Sequence, residues 1–185
     1  MDGIEKQSLF GFTRSELAGL VGSLGHKPFR AKQLWHWMYH RGARDFAEMD
    51  NLPKAFRDQL AESYSIARPH KKEALISVDT TRKWLLSMPD GKDIESVYIP
   101  DLNEVRGALC VSSQVGCTLA CTFCHTGTMK LVRNLKPEEI VAQWIVAKDD
   151  LGEWGGQSSV VSGQSSVDDG KRGQSLPPLR GEVRR

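Results

Sequence analysis

The sequence has no long hydrophobic run. Nowhere do apolar residues approach the ~20 in succession that a membrane helix needs, and residues 1–6 hold no apolar signal-peptide core. Net charge is scarce: 25 Lys and Arg against 23 Asp and Glu leave +2 over 185 residues. That excludes a strongly basic nucleic-acid arm but not a local patch. Cysteine is missing everywhere except one stretch, because all four fall between Cys110 and Cys124. A disulfide framework spread over an exported fold is thereby disfavoured. Clustered thiols in a reducing compartment point instead to metal or redox chemistry. A cytoplasmic protein with no membrane contact is expected. Aromatic residues are absent after Trp154, where Gly, Ser, Gln and Pro dominate and Gly-Gln-Ser-Ser-Val occurs at 156–160 and again at 163–167. Such a segment buries too little apolar surface to offset ordering entropy, so 155–185 is expected to be a disordered tail.

The remainder divides at about residue 70. Residues 1–72 carry 12 basic against 8 acidic side chains, and residues 73–150 carry 8 against 11. The first part reads as a small helical domain, 1–70. Thr13 with Glu16 forms a capping box for a helix to about Val21, ended by Gly22 and Gly25. Pro28 opens a second helix with Ala31, Leu34, Trp35 and Met38 at helical spacing, ended by Gly42. Pro53 opens a third, with Phe56 and Leu60 on one face.

From residue 71 the pattern changes to short runs, 74–78, 83–88 and 94–99, with the turn Pro89-Asp90-Gly91 between the last two. These predict an antiparallel meander. The run 106–112 is apolar enough for a buried strand, 114–133 reads as a loop, and Pro137 opens a helix with Ile140, Val141, Trp144, Ile145 and Ala147 as its apolar face. The fold class expected is α/β (α+β overall), with strand, loop and helix in the order that begins a parallel α/β fold.

Cys117, Cys121 and Cys124 form Cys-x-x-x-Cys-x-x-Cys. Three thiolates on one short loop can each hold one iron of a 4Fe–4S cluster, leaving a fourth iron open to S-adenosylmethionine. Zinc, with Cys110 or His125 completing the set, and buried unliganded thiols remain alternatives. Zinc sites more often use paired Cys-x-x-Cys or mixed Cys/His knuckles.

Around this loop the sequence closely resembles the bacterial dual-specificity RNA methyltransferases of the radical S-adenosylmethionine superfamily. The resemblance runs over about residues 10–154. It is carried by Lys27-Pro-Phe-Arg-Ala-Lys-Gln-Leu-Trp35, Glu95-Ser-Val-Tyr-Ile-Pro100, Arg106-Gly-Ala-Leu-Cys110 through Cys117, and Leu131-Val-Arg-Asn-Leu135. It implies methylation of adenine carbon 2 in large-subunit rRNA and tRNA, although the same motifs are broadly shared with a carbon-8 activity. It implies an RNA-binding accessory domain at 1–70, and at 71–154 the opening of a radical S-adenosylmethionine (β/α) barrel. Cys117, Cys121 and Cys124 would hold the cluster. Glu95 would be the proton acceptor, and Cys110 the cysteine that resolves a protein–RNA intermediate by disulfide formation. Two S-adenosylmethionine molecules would be used: one methylates a second, distant cysteine, and the other yields the radical that activates that methyl group. An electron-donor protein is implied, and the protein is expected to be a monomer.

The sequence departs from that family after residue 154. No cysteine follows Cys124, and no glycine-rich methionine-binding motif follows the cluster loop. A reading frame broken near codon 155, with catalysis lost, is the expectation from sequence. Two other readings stay open. One is a non-catalytic RNA-binding remnant, in which Lys27, Arg30, Lys32, Arg41 and Arg44 surround the stacking surfaces of Trp35, Trp37 and Tyr39. The other is a zinc-binding structural module. Without the resemblance, Glu95 reads as a solvated strand-end charge, Cys110 as a small buried hydrophobe, and the three aromatics as core.

Overall fold

The computed structural model describes residues 6–101, 107–119 and 128–154. The tail 155–185 lies outside them. Helix α1 (Arg14–Ser23) begins as its capping box requires: the Glu16 carboxylate accepts from the Thr13 N–H at 2.7 Å, and the Glu16 N–H donates to the Thr13 hydroxyl at 3.3 Å. Gly22 lies inside the helix rather than ending it. The stop comes at Leu24 and Gly25, which takes φ +79°. Helix α2 (Phe29–His36) runs on into a wider π turn, Trp37–Arg41. Gly42 closes that turn at φ +68°, and a Cβ there would lie 2.3 Å from the Trp154 ring. Helix α3 (Lys54–Ser63) follows Pro53. Leu17 and Val21 of α1, Leu34 of α2 and Phe56 and Leu60 of α3 meet with Leu9 and Phe10 in one core. Two-residue strands β1 (Gln7–Ser8) and β2 (Tyr64–Ser65) pair in parallel and tie the ends of this bundle together.

Strands β3 (His70–Ile76), β4 (Arg82–Ser87), β5 (Asp93–Pro100) and β6 (Gly107–Cys110) form one antiparallel sheet in that order. The meander is as expected, and Gly91 at φ +76° makes the turn between β4 and β5. β3 begins four residues earlier than the expected 74–78 run and stops before Val78, which sits exposed at the hairpin tip. Trp84, Leu86 and Ile94 alternate onto one face and are buried in a second core.

β6 corrects an expectation. It is an outer strand on which only Leu109 is half-buried, while Gly107, Ala108 and Cys110 are exposed. An antiparallel sheet packs one face on the core and leaves the other to solvent, and an end strand also lacks a neighbour along one edge, so apolar composition did not make it a core strand. Nor is 114–133 wholly loop: β7 (Gln114–Val115) pairs antiparallel with β8 (Arg133–Asn134).

Helix α4 (Pro137–Leu151) holds the two cores together. Ala142 and Ile145 enter the helical core, and the adjacent Val146 and Ala147 enter the sheet core. Serving both cores widens its buried arc. Trp144, expected on the apolar face, is 38% exposed, whereas Glu139 and Gln143 are buried. Among the described residues no helix is long and apolar enough to cross a membrane.

Candidate functional site

Two backbone ladders bring the cysteine loop's ends together. The Leu135 N–H donates to Ser113 O (2.8 Å), the Val132 N–H to Val115 O (2.8 Å) and the Cys117 N–H to Met129 O (3.2 Å). Gly116 makes this closure possible. It has φ +77°, and a Cβ would lie 2.1 Å from the Lys130 carbonyl oxygen. Cys117 therefore stands at the neck of a closed loop. Its sulfur is a free, half-exposed thiol that accepts the Leu119 N–H at 3.3 Å. A free, solvent-reachable sulfur at the neck of the loop fits a cluster ligand. Cys121, Cys124 and His125 lie outside the described residues, and among the described residues no group of three metal-ligating side chains occurs.

The loop neck is fixed by a partly buried cluster of ion pairs around Arg133. Arg133 reaches Glu139 with both guanidinium nitrogens, at 2.7 and 2.8 Å, and its Nε reaches Asp90 at 2.7 Å. The Lys136 N–H also donates to the Glu139 carboxylate, at 2.7 Å. Arg133 and this backbone bond together hold the Glu139 carboxyl below its ordinary pKa of 4.5. The β4–β5 turn, the loop neck and the start of α4 are thereby joined at a single side chain.

Sheet register places Glu95 and Cys110 on one face. Cys110 lies directly opposite Val97, and Glu95 is two residues along the same strand, so all three project to the same side. Across β4 that face continues with Lys83 and Leu85. Glu95 is 51% exposed at its side chain and forms an ion pair with Lys83 at 2.8 Å. The contact raises the Lys83 pKa, chiefly through the hydrogen bond from its ammonium to Glu95. Cys110 is an exposed free thiol, not the buried hydrophobe its residue type suggested. The disulfide expected of Cys110 is likewise not formed among the described residues.

Beneath this face lies a network that sequence reasoning missed. Gln143 is fully buried, and its amide oxygen accepts from the Ser96 hydroxyl (2.6 Å) and the Ser112 N–H (2.8 Å). Its nitrogen donates to Ser112 O at 2.8 Å, and the Ser112 hydroxyl donates to Glu95 O at 2.7 Å. The backbone carrying Glu95 and the segment following Cys110 are therefore pinned to α4. A glutamine within an amphipathic helix carries no sequence signal for this. Only its position one turn after Glu139, on the buried side, could have hinted at it.

The expected basic and aromatic cluster is only partly a surface. Tyr39 packs against Phe10 and Trp35 and donates to Phe10 O at 3.0 Å, and burial pushes its phenol up to about 12. The Trp37 indole donates to Asn51 at 2.7 Å. Arg44 pairs with Asp149 at 3.2 Å, and Arg30 bonds to Asn51 O at 2.8 Å. Trp35 and Lys32, in contrast, line an open cleft of about 640 Å³ between α1 and α2.

Comparison with known proteins finds similarity over most of the described residues. Residues 7–66 match the family model of the ribosomal RNA large subunit methyltransferase N-terminal domain. The dual-specificity RNA methyltransferase RlmN of Paramagnetospirillum magneticum is 58% identical over 149 residues, covering 80% of this chain and 33% of the relative. Its counterpart from Gluconobacter oxydans is 56% identical over 149 residues, covering 80% and 37%. A radical SAM methyltransferase from Sphaerobacter thermophilus superposes with a TM-score of 0.72 at 36% identity, covering 80% of this chain and 43% of that one. The chain spans about a third of the length of the curated relatives it matches, and over that span it is similar to dual-specificity RNA methyltransferases.

Proposed function

We propose that residues 1–70 dock RNA and residues 71–154 supply part of a radical S-adenosylmethionine site that methylates adenine carbon 2 in large-subunit rRNA and tRNA. The observation that carries this reading is the shared sheet face of Glu95 and Cys110, a few residues before a closed loop that opens at Cys117. Cys117, Cys121 and Cys124 would hold the 4Fe–4S cluster. When bound, the cluster supplies the electron that cleaves S-adenosylmethionine; a separate electron-donor protein would reload it.

This chain's own residues would do four things. Cys117 presents a sulfur already turned to an N–H donor. Glu95, half-exposed, can accept a proton from a base laid on the sheet face. Lys83 holds the Glu95 carboxylate by an ion pair until that base displaces it. Cys110, two strand positions away on the same face, offers an accessible thiol for a covalent RNA intermediate.

Anaerobic reconstitution with iron and sulfide tests the cluster: about four iron and four sulfide per chain are expected, lost in Cys117→Ala. Preferential zinc uptake would refute it and favour a structural zinc module. Nucleoside mass spectrometry of RNA from cells with and without the gene tests the reaction, 2-methyladenosine being the expected product. Carbon-8 methylation would correct the position, and no change would leave the non-catalytic RNA-binding reading.

A further inference from the structure

The cleft between α1 and α2 has a composition that selects its ligand. Along α2 and its π turn, Phe29, Lys32, His36 and His40 recur at helical spacing on its open side. Arg14 and Ala18 of α1 form the opposite wall, and Trp35 lies between. Phe29 is 47% exposed, unusual for a phenylalanine in a well-packed helical core. The Arg14 guanidinium sits 4.9 Å from the Trp35 ring centroid. His36 and His40 stack at 5.1 Å. No carboxylate lines the cleft, and neither Arg14 nor Lys32 forms an ion pair among the described residues.

Flat aromatic and apolar walls with uncompensated cations at the rim suit a ligand that is itself flat and flanked by negative charge. We propose that this cleft is a stacking site for an unpaired RNA base, with Phe29 and the Arg14–Trp35 pair as platforms and Lys32 on a neighbouring phosphate. The inference rests on the reading that the protein acts on RNA. It adds where the helical part grips and that it grips single-stranded RNA rather than duplex. Base stacking on aromatic side chains tolerates any sequence, because every base has a π face. Discrimination between strands follows from geometry: a paired base cannot leave its stack to enter a cleft without the cost of unpairing.

The test uses the full chain and fluorescence anisotropy of an end-labelled oligoadenylate, with an RNA duplex as the parallel ligand. Phe29→Ala is the main variant, because Phe29 is already exposed and its loss leaves the core intact. Lys92→Ala, in the distant β4–β5 turn, is the control. The expected result is preference for the single strand, a 5- to 150-fold weakening in Phe29→Ala, and a salt slope lowered by about 0.7 in Lys32→Ala. Trp35→Phe should diminish the quenching of tryptophan fluorescence by RNA, whereas Trp37→Phe should not. If Phe29→Ala binds like Lys92→Ala, the cleft is not the site, though RNA binding itself stands. If duplex and single strand are held equally and lose equally, the grip is electrostatic and the stacking site is overturned. If no RNA is bound at all, the inference fails, while the reaction reading is decided separately by 2-methyladenosine and cluster content.

Discussion

Gln143 offers a quantitative test of the framework beneath Glu95 and Cys110. Gln143→Leu keeps a similar volume and good helix propensity. It removes the acceptor for the Ser96 hydroxyl and the Ser112 N–H, and the donor to Ser112 O. Ser96 is only 1% exposed, so its hydroxyl has no water to turn to. A buried group left unpaired costs about 1–3 kcal/mol. The two Ser112 groups are half-buried and recover part of their loss from solvent, and the leucine regains some transfer energy. The net cost is about 2–4 kcal/mol, a large share of a typical total stability of roughly 5–15 kcal/mol. Urea denaturation should show it as a lower midpoint with an unchanged slope. The double variant Ser96→Ala/Gln143→Leu removes the orphaned hydroxyl and should recover about 1–2 kcal/mol. Amide exchange at Ser112 should accelerate in both variants. A single-variant cost below about 1 kcal/mol, or no recovery in the double, would refute the claim that this network holds the site.

Three further outcomes follow from other groups. The folded pKa of Glu139 lies below its unfolded value near 4.5, so its stabilisation is present above that pH and is lost as pH falls through the folded pKa; Glu139→Gln should flatten this acid limb of the stability curve. Tyr39 is raised from 10.0 to about 12, so stability should fall as pH climbs from 10 towards 12, and Tyr39→Phe should remove that alkaline loss. Gly116→Ala places a methyl group 2.1 Å from the Lys130 carbonyl oxygen at a φ of +77°. The neck must open, so reconstituted iron content should drop although every cysteine remains; retention of full cluster would show that the neck is dispensable.

What was legible in the sequence was what local chemistry dictates. Thr13 with Glu16, the Pro89-Asp90-Gly91 turn and Pro137 act within a few residues of themselves, and each does in the fold what its residue types require. Other features depend on partners far along the chain. That Glu95 and Cys110 share a face follows from the register of two strands, not from either segment. That β6 is exposed follows from its place at the end of the sheet. Trp144, read as part of the apolar face, is partly exposed and Gln143 is buried because α4 serves two cores rather than one. The cleft was half visible: Trp35 and Lys32 were singled out, but Arg14 reaches them from another helix, and the spacing of Phe29, Lys32, His36 and His40 was the signal left unread.

The position of α4 has a mechanical consequence. Consecutive residues Ile145 and Val146 are buried in different cores. Near the helix's end, Lys148 lies 5.0 Å from the Trp144 ring and 4.7 Å from that of Trp154, which itself closes over Gly42. A swivel between the helical part and the sheet would have to pull one side of this helix out of its core. The fold therefore works as a ruler. The span from the α1–α2 cleft to the neck of the cysteine loop is set by packed side chains rather than by a linker. On the proposed reading, any RNA engaging both would have to bring its gripped base and its reacting adenine to that separation by its own folding.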